Sequence, residues 1–93
     1  MNGTRRERFE RVYRDHHSAV RAYVLRRAEP ELAQDALSET FLAAWRRLDE
    51  LPGDIPCPWL LATARRTLSN QRRSVRRLGG LRERVAARQD DRS

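Results

Sequence analysis

An all-α bundle is the fold class this sequence predicts, and three observations carry that reading. Apolar residues recur at helical spacing along the chain. No segment alternates apolar and polar residues as a half-buried strand would. Past residue 3, proline and glycine stand only at punctuation points: Pro30, Pro52-Gly53, Pro56, Pro58 and Gly79-Gly80. The 93 residues suit a single domain with a small core.

The first helix is predicted from about Arg5 to Arg27, with Phe9, Val12, Tyr13, His16, Val20, Tyr23 and Val24 on one stripe. Pro30 fits the first turn of a second helix, whose positive dipole end is flanked by Glu29 and Glu31. That helix is predicted to reach about Leu48, with Ala33, Leu37, Thr40, Phe41, Ala44 and Leu48 inward. Asp49 to Cys57 reads as a proline-stiffened loop in which Gly53 permits a tight turn. Pro58 opens a third helix with Leu60, Ala64, Thr67, Leu68, Val75 and Leu78 as its stripe. Gly79-Gly80 reads as its stop, followed by a short C-terminal helix over residues 81–88. The expectation is a compact bundle of three main helices plus that short one. Residues 1–88 form the domain, and 89–93 form a polar tail or the start of a linker. No internal repeat is visible.

Charge narrows the function. All 20 basic residues are Arg, against 13 acids, for a net charge of +7. A single Cys excludes an intrachain disulfide, and His16-His17 with a distant Cys57 do not match a zinc site. No metal or cofactor is expected. His16 reads as a core or boundary residue and Cys57 as a small apolar filler. No apolar run approaches a membrane span, and the polar N-terminus is not a signal peptide. The chain reads as a soluble, intracellular, basic module with little room for a catalytic pocket, and not as an enzyme. The charge is also segregated. Residues 1–28 carry eight Arg and three acids, 29–54 carry two Arg and seven acids, and 55–88 carry nine Arg and one acid. Such blocks fit two surfaces with different partners; the alternative is a solvated charged face on each helix.

The third helix is the most informative segment. Arg65, Arg66, Arg72, Arg73, Arg76 and Arg77, with Asn70 and Gln71, fall on the polar surface around a narrow apolar stripe. Arg66, Asn70 and Arg73 share one face by their spacing. Arg can fork onto guanine or phosphate and Asn can pair with adenine, so this surface points to nucleic acid. The stiff loop beside it could form a pocket for one unstacked base, with Trp59 as an aromatic surface; a core role for Trp59 is the alternative. On the acidic second helix, Asp35, Ser38, Glu39 and Leu42 make a mixed face offset from the core stripe, suited to a partner helix; by itself such a face more often reads as acids on a solvated helix.

Taken in order, these residues resemble region 2 of the extracytoplasmic-function (ECF) sigma factors of bacterial RNA polymerase. Phe9 to His16 (FERVYRDH) resembles the opening of that region. Asp35 to Arg46 (DALSETFLAAWR) is similar to the family's D-x-x-Q-E-T-F-x-x-A-W-R run, with Ser38 where Gln is common. Pro58 to Arg66 (PWLLATARR) resembles its W-L-x-x-x-A-R-N/R helix, with Arg66 where many members have Asn. The likeness covers roughly residues 9–78.

The resemblance implies a compact helical bundle and three roles. Asp35, Ser38, Glu39 and Leu42 would dock on the β′ clamp helices of core RNA polymerase. The loop from Leu51 to Ile55, with Gly53 and Asp54, would capture a base flipped from the promoter −10 element. Arg65, Arg66, Asn70 and Arg73 would contact that element, joined by Trp59 as an aromatic surface and by Arg76 and Arg77 from the charge pattern. The partners implied are core polymerase and the non-template strand, in the cytoplasm. No helix-turn-helix pattern for the −35 element follows, so an excised promoter-melting domain is the expectation, with a natural short form as the alternative. The rival function is a protein-interaction module, bound by an anti-sigma factor or other regulator, without useful DNA affinity of its own. An Arg-rich RNA-binding protein is a third reading.

Overall fold

Thr4 opens the first helix. Its hydroxyl accepts a hydrogen bond from the Glu7 amide at 3.2 Å, and the Glu7 carboxylate accepts one from the Thr4 amide at 3.3 Å. This reciprocal pair satisfies amides that a helix start otherwise leaves unpaired. The computed structural model describes residues 4–53 and 56–90. Within them α1 spans Arg5–Leu25, α2 spans Pro30–Arg46, a 3-10 turn spans Leu48–Glu50, and α3 spans Cys57–Asp90. No strand occurs among the described residues. The fold is an all-α bundle.

Local chemistry sets the breaks. Glu29 precedes Pro30 and is extended, at φ −57° and ψ 152°, because proline disfavours helical backbone in the residue before it. Pro30 thus keeps α1 from running on into α2; α1 ends at Leu25, slightly short of the expected Arg27. Similarly, α2 ends at Arg46 and the chain tightens into the 3-10 turn that carries Leu48.

The helices run up, down and up. Phe9 packs edge-on against Trp45, with centroids 5.4 Å apart, and Tyr13 meets Phe41 at 4.8 Å, so α1 is antiparallel to α2. Gln71 of α3 bridges Leu32 and Ala36 near the start of α2. Its amide donates to the Leu32 carbonyl at 3.1 Å and accepts from the Ala36 amide at 3.3 Å in the orientation that satisfies both atoms. The far end of α2, at Arg46-Arg47, meets α3 near Trp59, so these helices are also antiparallel.

The core is Val20 and Val24 of α1, five apolar residues of α2, Leu48 and Leu51, and Leu60, Ala64 and Leu68 of α3. Every residue of the expected α2 stripe is buried. Thr40 is buried with its hydroxyl donating to the Ala36 carbonyl at 2.7 Å, so no cost of an unpaired polar group remains. Gln71 corrects the sequence reading: it faces α2 and is half-buried, not part of the outer polar surface.

The end of α3 brings a larger correction. The helix passes through Gly79-Gly80 without a break, and residues 81–88 are its continuation, not a separate short helix. A glycine stop needs a left-handed backbone, and no glycine among the described residues has positive φ. Leu81 and Val85 extend the apolar spacing past the glycines, and no proline follows to end the helix. Residues 89–90 of the expected tail also lie in this helix, and 91–93 lie outside the described residues. With 34 residues α3 is twice as long as the 17-residue α2. At about 1.5 Å per residue it overhangs the bundle by several turns. Val75 and Leu78, expected inward, are therefore about half exposed, because α1 and α2 end before reaching them.

A Cβ added at Gly79 or Gly80 would meet nothing within 4 Å. Replacing both (Gly79→Ala, Gly80→Ala) is expected to strengthen the overhang by about 1–2 kcal/mol, from helix propensity alone. Amide exchange across residues 78–86 should slow accordingly. Faster exchange in the double variant would restore the glycine stop.

Candidate nucleic-acid interface

Antiparallel packing of α2 on α3 brings two basic segments together. The C-terminal end of α2 carries Arg46 and Arg47, and the first turns of α3 carry Trp59, Arg66 and Asn70. These five side chains line one groove of about 210 Å³. Trp59 is half-buried, packing on the core while its remaining surface lines the groove. Its carbonyl accepts the Thr63 hydroxyl at 2.9 Å. A guanidinium nitrogen of Arg73 donates to the Asn70 side-chain oxygen. That bond holds the Asn70 amide and leaves its NH₂ donors free.

The seven residues expected on DNA do not form one surface. Successive residues of a helix turn by about 100°, so Arg66, Asn70, Arg73 and Arg77, spaced i, i+4, i+7 and i+11, share the groove side with Trp59. Arg65 and Arg76 lie on the opposite flank together with Arg72. There Arg72 donates to the Arg27 carbonyl at the end of α1, and it borders a second, wider hollow of about 440 Å³ with Arg26, Arg27 and Glu29. Among the described residues none of these α3 arginines forms an ion pair. The ion pairs present are Arg5–Asp49, Arg6–Glu10 and Arg14–Asp15, all made by α1.

Sequence reasoning missed Arg46 and Arg47. They were the only cations in an acidic block, and their position beside Arg66 depends on how two distant helices pack. Adjacency to the tryptophan of the second helix was the available signal.

The loop is anchored firmly. Leu48, Leu51 and Pro56 are buried, and an Arg8 guanidinium donates to the Leu51 carbonyl at 2.9 Å. Leu51 is only 4% exposed, so its side chain holds the loop to the core and does not face a ligand. This corrects its place among the base-capturing residues. Asp54 and Ile55 lie outside the described residues. Gly53 is exposed and has no positive φ, so the turn does not require glycine there.

Asp35, Ser38, Glu39 and Leu42 are all exposed on the outer side of α2, opposite its buried stripe. Neither acid is paired among the described residues. One turn beyond Leu42, Trp45 is 38% exposed, with Arg5 stacked over its ring at 5.1 Å. Tyr13, 43% exposed, lies against His17 and Phe41 on the α1 side. The acidic face thus borders an aromatic margin that the sequence reading did not include.

The Sigma-70 region 2 family model matches residues 12–78, most of the chain. The chain belongs to the Sigma-70 region 2 family. No curated protein and no solved structure gives a significant match. Region 2 of sigma-70 factors binds core RNA polymerase and recognises the promoter −10 element, and the family consists of non-enzymatic initiation factors. Among the described residues of this member, no helix is long and apolar enough to cross a membrane.

A Cβ added at Gly53 would meet nothing within 4 Å. Gly53→Ala is therefore expected to leave the thermal midpoint unchanged or slightly raised, by up to about 1 kcal/mol of stability. A clear fall in midpoint would mean that the loop needs a conformation only glycine reaches.

Proposed function

We propose that this chain is the −10-reading and melting domain of an ECF-type sigma factor, with residues 1–88 acting as one unit in the cytoplasm. The observation that carries the reading is the separation of two surfaces. An unpaired acidic face lies on the outside of α2, and a groove lined by Arg, Asn and Trp lies between α2 and α3. Asp35, Ser38, Glu39 and Leu42 dock on the polymerase β′ clamp helices, with Trp45 at the margin. The groove holds the non-template strand: Arg66 and Asn70 meet base edges, Trp59 offers a ring to stack on, and Arg46, Arg47, Arg73 and Arg77 hold phosphates. Gly53, with Asp54 and Ile55, receives the flipped base. Strand separation follows from preferential binding of the single-stranded form, which shifts the duplex-to-open equilibrium without nucleotide hydrolysis.

Two experiments test it. In the first, each variant is titrated against single-stranded −10 oligonucleotides with one base changed at a time. Asn70→Ala and Arg66→Ala should flatten the preference among sequences by about 1–3 kcal/mol. Arg65→Ala and Arg76→Ala, on the other flank, should weaken all sequences alike. Equal losses across the panel for Asn70→Ala and Arg66→Ala would remove both from base reading. The second reverses the acidic face. Asp35→Arg with Glu39→Arg should weaken binding to core polymerase while the thermal midpoint stays within about 0.5 kcal/mol of the parent, since both sites are exposed. Undiminished polymerase binding would move the docking surface elsewhere.

A further inference from the structure

We propose that the overhanging half of α3 is a docking surface for an acidic amphipathic helix of a protein partner, which goes beyond the promoter reading. The face through which α3 joins the core, at Leu60, Ala64 and Leu68, continues as Val75, Leu78, Leu81 and Val85. The first three are at most 3% exposed, whereas the last four are 51%, 54%, 52% and 46% exposed. Leu81 and Val85 lie beyond the family match, which ends at residue 78.

Two features define what covers this stripe. The chain contains its own example of the geometry: along residues 60–71 the same face is covered by the apolar stripe of α2, an antiparallel helix whose acids Glu31, Asp35 and Glu39 point outward. On the overhang the charge flanking the stripe adds an acidic requirement. From Arg72 to Ala86 there are six Arg and one acid, Glu83. Arg77 and Arg84 border Leu81, and Arg82 borders Leu78, within one helical turn. A partner with acids beside its apolar seam neutralises these rows as it buries the stripe. A second α3 laid on the first would instead bring two Arg rows together, which is unfavourable. Nucleic acid would engage the Arg rows and leave the leucines uncovered.

The test uses the whole chain with no DNA or polymerase, so its outcome is separate from that of the promoter reading. The probe is a fluorescent three-heptad peptide with Leu along its seam and Glu on its flanks. Controls are the same peptide with Lys flanks and a scrambled version that keeps the Glu content but has no seam. The Glu peptide alone should bind, and Leu78→Gln with Leu81→Gln should weaken it by at least about tenfold, since these half-exposed residues lie away from the core. Failure of the Glu peptide to bind overturns the proposal, as does equal binding of the scrambled peptide or indifference to the double variant. Self-association of the parent chain that the double variant abolishes would assign the stripe to a second copy. Binding to phosphatidylglycerol vesicles, with none to the Glu peptide, would assign it to a lipid surface.

Discussion

The antiparallel packing of α2 on α3 is the constraint on which the rest depends. Small residues let the two backbones approach, with Ala33, Ala36 and Ala44 of α2 and Ala64 of α3 all buried. Gln71 bonds to the α2 backbone, which sets the register between the helices. Apolar burial decides the energetics. Leu60, Leu68 and Phe41 each contribute about 1.5–3 kcal/mol. The ion pairs of α1 are exposed and contribute little. Change the α2–α3 register and Arg46-Arg47 no longer sit beside Trp59 and Arg66, so the groove is lost while each helix survives.

That groove is electrostatically unusual for a surface without a partner. Arg46, Arg47 and Arg66 line one small space without a carboxylate among them. At physiological salt, like charges within about 8 Å still repel. In the proposed reading an entering polyanion relieves the repulsion among these arginines, and binding is salt-dependent because phosphate contacts release condensed counterions. Near Arg27 the balance differs: Arg72 is engaged by a backbone carbonyl and Glu29 lines the hollow, so that flank is partly neutralised.

The helices and their inward faces were legible because burial follows periodicity. Every inward residue expected for α2 is buried, and Leu60, Ala64 and Leu68 lie where the stripe of α3 put them. What was not legible depends on where helices end relative to one another. Val75 and Leu78 have the spacing of core residues and are exposed because no neighbour extends that far. Leu51 reads as a loop residue, yet its side chain is core, since a tight 3-10 turn folds it back. Gly79-Gly80 reads as a stop because glycine can cap a helix, but a cap also requires a left-handed residue and something to follow it. Arg65 and Arg66 look equivalent in sequence, yet the rotation between adjacent residues puts them on different flanks. Only the partner helix reveals which flank is the groove.

Segregating charge between helices also has a consequence for orientation. In the proposed reading a nucleic-acid strand is drawn to the cationic groove and repelled by Glu31, Asp35 and Glu39 on the outside of α2, which keeps the polymerase-docking face clear while DNA is held, so the two partners do not compete for one surface. Three short helices could present a single mixed surface at the same stability, since exposed charges cost little wherever they sit. Fold stability therefore gives no reason for the segregation. Discrimination between two partners, one of them a polyanion, does, because separated charges of opposite sign steer each partner to its own face before any short-range contact forms.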